Sequence, residues 1–231
     1  MAVAVAQGNC FICGKTIGKA AVKAHMTREH NAGEQECYLL KAEGVYYKDY
    51  WIYFSIPLDA SLSALDKFLR QIWCECCGHL SAFRSGRTEM KKSLKLSSLA
   101  VGDKFIYEYD FGSTTTIAIT ILGSIARKPR YEKVRLLARN APLEIACRKC
   151  GAPATQLDGW QRVPYCDVCA EEETEDEWCL RPITNSPRCG ECGYEGEQDK
   201  WTFDPAKVGQ PEPDEPEVIW IGKKRKVARK I

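Results

Sequence analysis

At 231 residues the chain is long enough for one ordinary domain plus small modules, and its 45% hydrophobic, 10% aromatic composition lets it bury a real core. Thirteen cysteines, mostly in Cys-x2-Cys pairs, fit reduced metal-binding thiolates better than a secreted disulfide framework. No run approaches the roughly 20 apolar residues that span a bilayer, and Met1–Gln7 is too short and uncharged for a signal peptide; the expected location is cytoplasmic.

The net charge of +2 conceals an asymmetry. Residues 1–140 carry 20 Lys+Arg against 13 Asp+Glu, residues 141–216 carry 7 against 17, and residues 217–231 carry 6 against 1. A basic body, an acidic segment and a basic tail predict different partners for different parts, although charge runs also serve as ordinary solvated surface.

Residues 1–35 read as a small finger. Cys10-x2-Cys13-x11-His25-x4-His30 supplies two thiolates from a turn and two imidazoles from a helix, the donor set of a tetrahedral structural zinc site. Ile17 and Val22 fall near the two core positions of a ββα finger. The base-reading positions of such a helix would be Gly18, Ala21 and Ala24, none able to hydrogen-bond a base edge. The finger is therefore expected to touch phosphate through Lys19, Lys23 and Arg28, with Lys15 nearby, or to dock protein.

Residues 36–145 read as one α+β body, a mostly antiparallel sheet with one main helix, flanked by small zinc-binding modules. Strand character fills Glu36–Glu43 and Val45–Ile56. Ser61–Cys74 is the clearest helix, with Leu62, Leu65, Phe68, Leu69, Ile72 and Trp73 on one face. Ser63 with Asp66 forms a candidate capping box, Ser61 is an alternative cap, and Gly78 is the stop. Further strands are expected at Leu80–Arg84, 104–110, 114–122 and Val134–Ala138. Alternation places Tyr107 and Tyr109 on one face of a strand, with Glu108 and Asp110 on the other; packing into the core is the favoured reading, and Gly112 is expected to take a positive φ in the turn that follows. Cys74, Cys76, Cys77 and His79 gather at the helix end, open to a nucleophile–base pair, a metal site or burial. The negative end of the helix disfavours a reactive thiolate there.

Residues 146–200 contain Cys147-x2-Cys150-x15-Cys166-x2-Cys169, a complete four-thiolate set with no open position for a catalytic water. Two zinc ions per chain are expected, one in this set and one in the finger. The run Glu171–Glu173, Glu175–Glu177 would repel phosphate and favour a basic protein surface. Residues 201–231 read as an acidic, Pro-rich linker over Asp204–Glu217, then a basic tail in which Lys223, Lys224, Arg225 and Lys226 suit salt-dependent phosphate binding, with Trp220 available to stack on a base.

Four segments resemble a known family. Glu75-Cys76-Cys77-Gly78-His79-Leu80-Ser81-Ala82-Phe83, Tyr107–Thr115, Leu137-Ala138-Arg139-Asn140, and Asn185-Ser186-Pro187-Arg188 with Cys192-Gly193-Tyr194 are similar, in order, to the signature of the Ri-plasmid open-reading-frame-three-like family. The resemblance covers roughly residues 37–195. It implies a compact α+β domain with a zinc-binding C-terminal extension and association with plasmids or transposons, and little about activity. Related extensions often carry another Cys-x2-Cys pair between the outer ones. Thr155–Pro164 has none here, which leaves Cys179, Cys189 and Cys192 as an incomplete further site, one ligand short unless the Cys74–His79 cluster supplies it. Taken together, the expectation is a non-enzymatic, zinc-stabilised adaptor that associates with nucleic acid independently of sequence. The alternative is a protein–protein interaction module using the acidic extension.

Overall fold

The structure is a computed structural model that describes residues 7–129, 133–173, 179–196, 199–209, 218–221 and 224–227. It is α+β, built on a nine-stranded antiparallel sheet. In chain order the elements are β1 (Gln7–Cys10), β2 (Thr16–Gly18), α1 (Val22–Glu29), β3 (Gln35–Gly44), β4 (Trp51–Pro57), α2 (Leu62–Leu69), β5 (Ser81–Ser85), β6 (Thr88–Met90), β7 (Lys104–Tyr109), β8 (Thr115–Arg127) and β9 (Arg135–Asn140). A three-stranded sheet follows, of β10 (Gln156–Asp158), β11 (Pro164–Tyr165) and β12 (Leu180–Pro182), with α3 (Asp167–Glu173). The last pair is a hairpin of β13 (Val218–Ile221) and β14 (Lys224–Val227).

The large sheet runs β2-β1-β9-β4-β3-β8-β7-β5-β6. Its middle is covered on both faces, which explains why every residue of Trp-Ile-Tyr-Phe-Ser-Ile-Pro in β4 is buried. Alternation deals the side chains out. Leu40, Ile52, Phe54, Ile117, Ile119 and Leu136 face α2, where Leu62, Leu65, Phe68, Leu69, Ile72 and Trp73 meet them as expected from their spacing. Leu39, Trp51, Tyr53 and Leu137 face the other way, onto Ile17, Val22 and Met26 of the N-terminal segment. Register shifts at Leu39/Leu40 against β8 and at Tyr53/Phe54 against β9 set these faces locally.

Several local expectations change. The boundary at residue 35 falls inside one sheet, because β1 pairs with β9 (Gly8↔Asn140, Cys10↔Ala138). Gly8 permits this approach: a Cβ there would lie 2.0 Å from the Arg139 carbonyl oxygen and 2.6 Å from the Trp51 ring. Val45–Ile56 is not one strand; β4 begins at Trp51, after a turn in which Tyr50 N–H donates to Tyr47 O. β8 is longer than expected and reaches Arg127.

The helix caps differ as well. Ser61 is the N-cap of α2 but makes no side-chain cap bond. Asp66 forms no capping box, because its Oδ1 accepts from Ser81 Oγ (2.6 Å), Tyr107 OH (2.9 Å) and Lys92 Nζ (3.1 Å). A π-helical turn over Arg70–Cys74 closes the helix, with Glu75 N–H donating to Arg70 O. This wider turn keeps Ile72, Trp73 and Cys74 in the core. Tyr107 and Tyr109 pack in the core as expected. Asp110, not Gly112, takes the positive φ (62°), and Asp110 Oδ1 accepts from Gly112 N–H at 3.0 Å. The left-handed residue breaks the alternation, so Asp110 is buried rather than facing out with Glu108.

Candidate metal centres

Two Cys-x2-Cys turns are built alike. Gly14 N–H donates to Cys10 O (2.9 Å) with Gly14 at φ 76°, and Gly151 N–H donates to Cys147 O (3.0 Å) with Gly151 at φ 77°. The left-handed glycine folds each turn back so that both sulfurs face one centre. Cys10 Sγ also accepts from Ile12 N–H at 3.4 Å.

Three four-donor groups result, each with all ligand atoms within 4.8 Å of one another: Cys10, Cys13, His25 and His30; Cys147, Cys150, Cys166 and Cys169; and Cys76, Cys77, His79 and Cys192. The donor spacings fit a tetrahedral ion. Zinc bonds of about 2.3 Å to sulfur and about 2.0 Å to nitrogen place sulfurs about 3.8 Å apart, sulfur and nitrogen about 3.5 Å and nitrogens about 3.3 Å. In the first group Cys10 Sγ lies 3.6 Å from His30 Nε2, Cys13 Sγ 3.5 Å from His25 Nε2, and the two Nε2 atoms 3.1 Å apart. Cys150 and Cys166 sulfurs are 3.6 Å apart in the second. These groups can hold metal ions.

The surroundings of the groups differ. His25 is buried and its Nδ1 pairs with Glu29 Oε1 at 3.1 Å, an outer contact that fixes the ring with Nε2 toward the centre. Burial raises the free Cys10 thiol to about 11. In the second group the Cys150 amide, foremost among several backbone donors, pulls the free Cys147 thiol down to about 6, whereas burial pushes Cys169 up. Cys150 is exposed. No member of this group belongs to the two hydrophobic clusters of the large sheet.

The grouping of Cys179, Cys189 and Cys192 does not form. Cys189-x2-Cys192-Gly193 has the same spelling as the other turns, yet Cys189 Sγ accepts from Thr184 N–H (3.3 Å) and Cys179 Sγ from Trp160 Nε1 (2.9 Å). Cys192 joins the helix-end cluster instead, which narrows the reading of that cluster: Cys74 is fully buried and takes no part. The signal in the sequence was a C-terminal set one ligand short and a helix-end cluster able to complete it; the structure moves Cys192 alone to Cys76, Cys77 and His79 and leaves Cys179 and Cys189 behind.

The cationic residues are also dispersed. Lys19 is not free for phosphate: its Nζ pairs with Glu43 Oε2 (2.5 Å) and donates to Lys48 O (2.7 Å). Lys15 pairs with Glu29 (2.6 Å). Lys23 and Arg28 are exposed on the outer face of α1. Lys224, Arg225 and Lys226 lie in β14 opposite Ile221, Trp220 and Ile219, so this part of the tail is a hairpin strand. Lys223, most of the Asp204–Glu217 linker and residues 174–178 of the acidic run lie outside the described residues. Glu172 and Glu173 pair with Lys149 at 2.9 and 2.5 Å, which offsets part of that acidity.

No family model and no curated protein matches the chain. Among solved structures, a protein of unknown function from Methanosarcina mazei Go1 is similar over 46% of this chain and 69% of its own, at 19% identity and a TM-score of 0.40. No helix among the described residues is long and apolar enough to cross a membrane.

Proposed function

We propose that the protein is a zinc-stabilised, non-enzymatic adaptor that associates with nucleic acid without reading its sequence, and that it belongs with the mobile-element-associated proteins its signature segments resemble. The observation that carries this reading is the division of labour on α1. Val22, His25 and Met26 turn inward to the metal cluster and the sheet, while Lys23 and Arg28 stand exposed on the opposite face, neither making an ion pair among the described residues. A body with an excess of cations presents these to solvent, and cations in such a position gain affinity for phosphate by releasing counterions. Zinc is the favoured ion because thiolate and imidazole donors at these spacings suit it. The finger set and the four-thiolate set each supply four protein ligands, so their two ions serve structure.

A protein-docking reading has its own support. Trp160 and Val168 are 74% and 67% exposed on the acidic four-thiolate module, and apolar residues rimmed by charge suit a protein partner. The two readings separate by fluorescence anisotropy of labelled oligonucleotides with the full chain across a salt series. The expected result is binding that weakens with salt, with a slope reduced by about one for each of Lys23 and Arg28 changed to Glu. Absence of binding, or an affinity unmoved by Lys23→Glu/Arg28→Glu and by removal of residues 218–231, overturns the nucleic-acid reading.

A further inference from the structure

The four signature segments, scattered over more than a hundred residues of sequence, meet at one place. Residues 185–194 cross the end of α2 as a strap. Asn185 and Asn140 exchange hydrogen bonds (Asn140 Nδ2 to Asn185 Oδ1, 2.6 Å; Asn185 Nδ2 to Asn140 O, 3.1 Å). Ser186 Oγ donates to Trp73 O at 2.7 Å. Arg188 is wholly buried, donates to Asp110 Oδ2 (2.8 Å), Ser113 O and Thr115 Oγ1 (3.1 Å each), and lies over the Tyr109 ring. Its Nη2 also reaches Cys76 Sγ at 3.4 Å. The strap therefore arrives at the Cys76–His79 turn already fixed in position.

That turn is held from the other side. Glu75 Oε1 accepts from Gly78 N–H (2.6 Å) and Tyr109 OH (3.1 Å), and Arg70 Nη2 donates to His79 O (2.6 Å). Gly78 takes φ 75°, which swings His79 back beside Cys77. Against this preformed trio the strap presents Cys192, with its sulfur 3.5 Å from Cys77 Sγ and 3.5 Å from His79 Nε2. Cys192 is itself left-handed, φ 51°, a conformation that a non-glycine residue adopts at a cost and that here aims the thiol at the trio. The spacings are those of a tetrahedral sulfur–nitrogen shell.

We infer that Cys76, Cys77, His79 and Cys192 form a third zinc site, a three-thiolate, one-imidazole clasp that fastens the C-terminal strap to the end of α2. It goes beyond the two sets proposed above, sharing no ligand with them, and it replaces the expectation of two ions with three. The clasp closes a loop of more than a hundred residues, so a single ion ties the extension carrying the four-thiolate module to the sheet that carries the finger. Cys77 and Cys192 are exposed, which makes this the most accessible of the three centres to chelators.

The test uses the full reduced chain loaded with cadmium-113 and read by cadmium NMR, since each thiolate ligand moves the resonance downfield. Three resonances are expected, ordered as two-, three- and four-thiolate shells. Native mass spectrometry of the zinc form gives the matching count: three ions in the wild type and in Cys189→Ser, two in Cys192→Ser. Two resonances, at the two- and four-thiolate positions, overturn the clasp and leave the other sites standing. Loss of either of those two instead strikes the structural-zinc reading itself. Retention of three ions in Cys192→Ser also overturns the clasp. The wild-type resonances decide the matter even if a variant fails to fold.

Discussion

The N-terminal finger and the four-thiolate module begin from the same turn, a Cys-x2-Cys with a left-handed glycine, and end in different circumstances. The finger is grafted into the main sheet: β1 is a strand beside β9, and Val22 and Met26 sit on Trp51, Tyr53 and Leu137. The four-thiolate module stands on a small sheet of its own, adds nothing to either large apolar cluster, and exposes Val168 and Trp160. One donor set therefore sits on a core that apolar burial already holds, and the other has no part in such a core, so on the zinc reading proposed above its ion would have to substitute for one. Small modules of the second kind fold only with their ion.

The sharpest test of this contrast is metal removal. Chelation is expected to abolish hydrogen-exchange protection across residues 146–173, while the β1 amides paired with β9 keep much of theirs. Equal loss in both places would erase the distinction. Next in size is the strap between the two regions. Arg188→Ala leaves Asp110 buried without its guanidinium, and about 3–5 kcal/mol of stability should disappear in denaturant unfolding. A value under about 1 kcal/mol would mean that the strap is held mainly by other contacts.

At the base of the finger, Met26→Ala should cost about 2–5 kcal/mol, because the side chain is fully buried against the sheet. A truncation at exposed Val168, in the other module, should stay within about 0.5 kcal/mol. Comparable costs at the two positions would show that the finger's apolar seat contributes little.

Asp66 tests the body that both regions lean on. Burial raises its carboxyl and the hydrogen bonds from Ser81, Lys92 and Tyr107 outweigh that, leaving it below the usual range. A carboxyl lowered on folding stabilises most above its unfolded value of about 3.9, and the contribution is lost as pH falls through the folded value. Asp66→Asn should thus cost about 2 kcal/mol at neutral pH, and the gap between variant and wild type should close in acid. A gap that persists at low pH would point to packing rather than charge. The smallest effect belongs to Lys149, whose exposed pairs with Glu172 and Glu173 are typical of surface ion pairs; Lys149→Ala should scarcely move the unfolding midpoint.

What could be read from the sequence was whatever a few consecutive residues decide. Cys10 with Cys13 and Cys147 with Cys150 lie within single turns, and His25 with His30 at one helix end, so backbone geometry alone brings these donors together. The apolar face of Leu62–Trp73 and the strands around it followed from periodicity for the same reason. Contacts that cross the chain were not legible in this way. Asp66 looked like a capping residue because Ser63 is its neighbour in sequence, but Ser81, Lys92 and Tyr107 become its neighbours in space. The spelling of Cys189-x2-Cys192 is that of a metal turn, and only the strap's path splits the pair and delivers Cys192 to His79. Short-range spacing is fixed by bond geometry before folding. Which distant segments meet is decided by the packing of both sheet faces, which no single segment encodes.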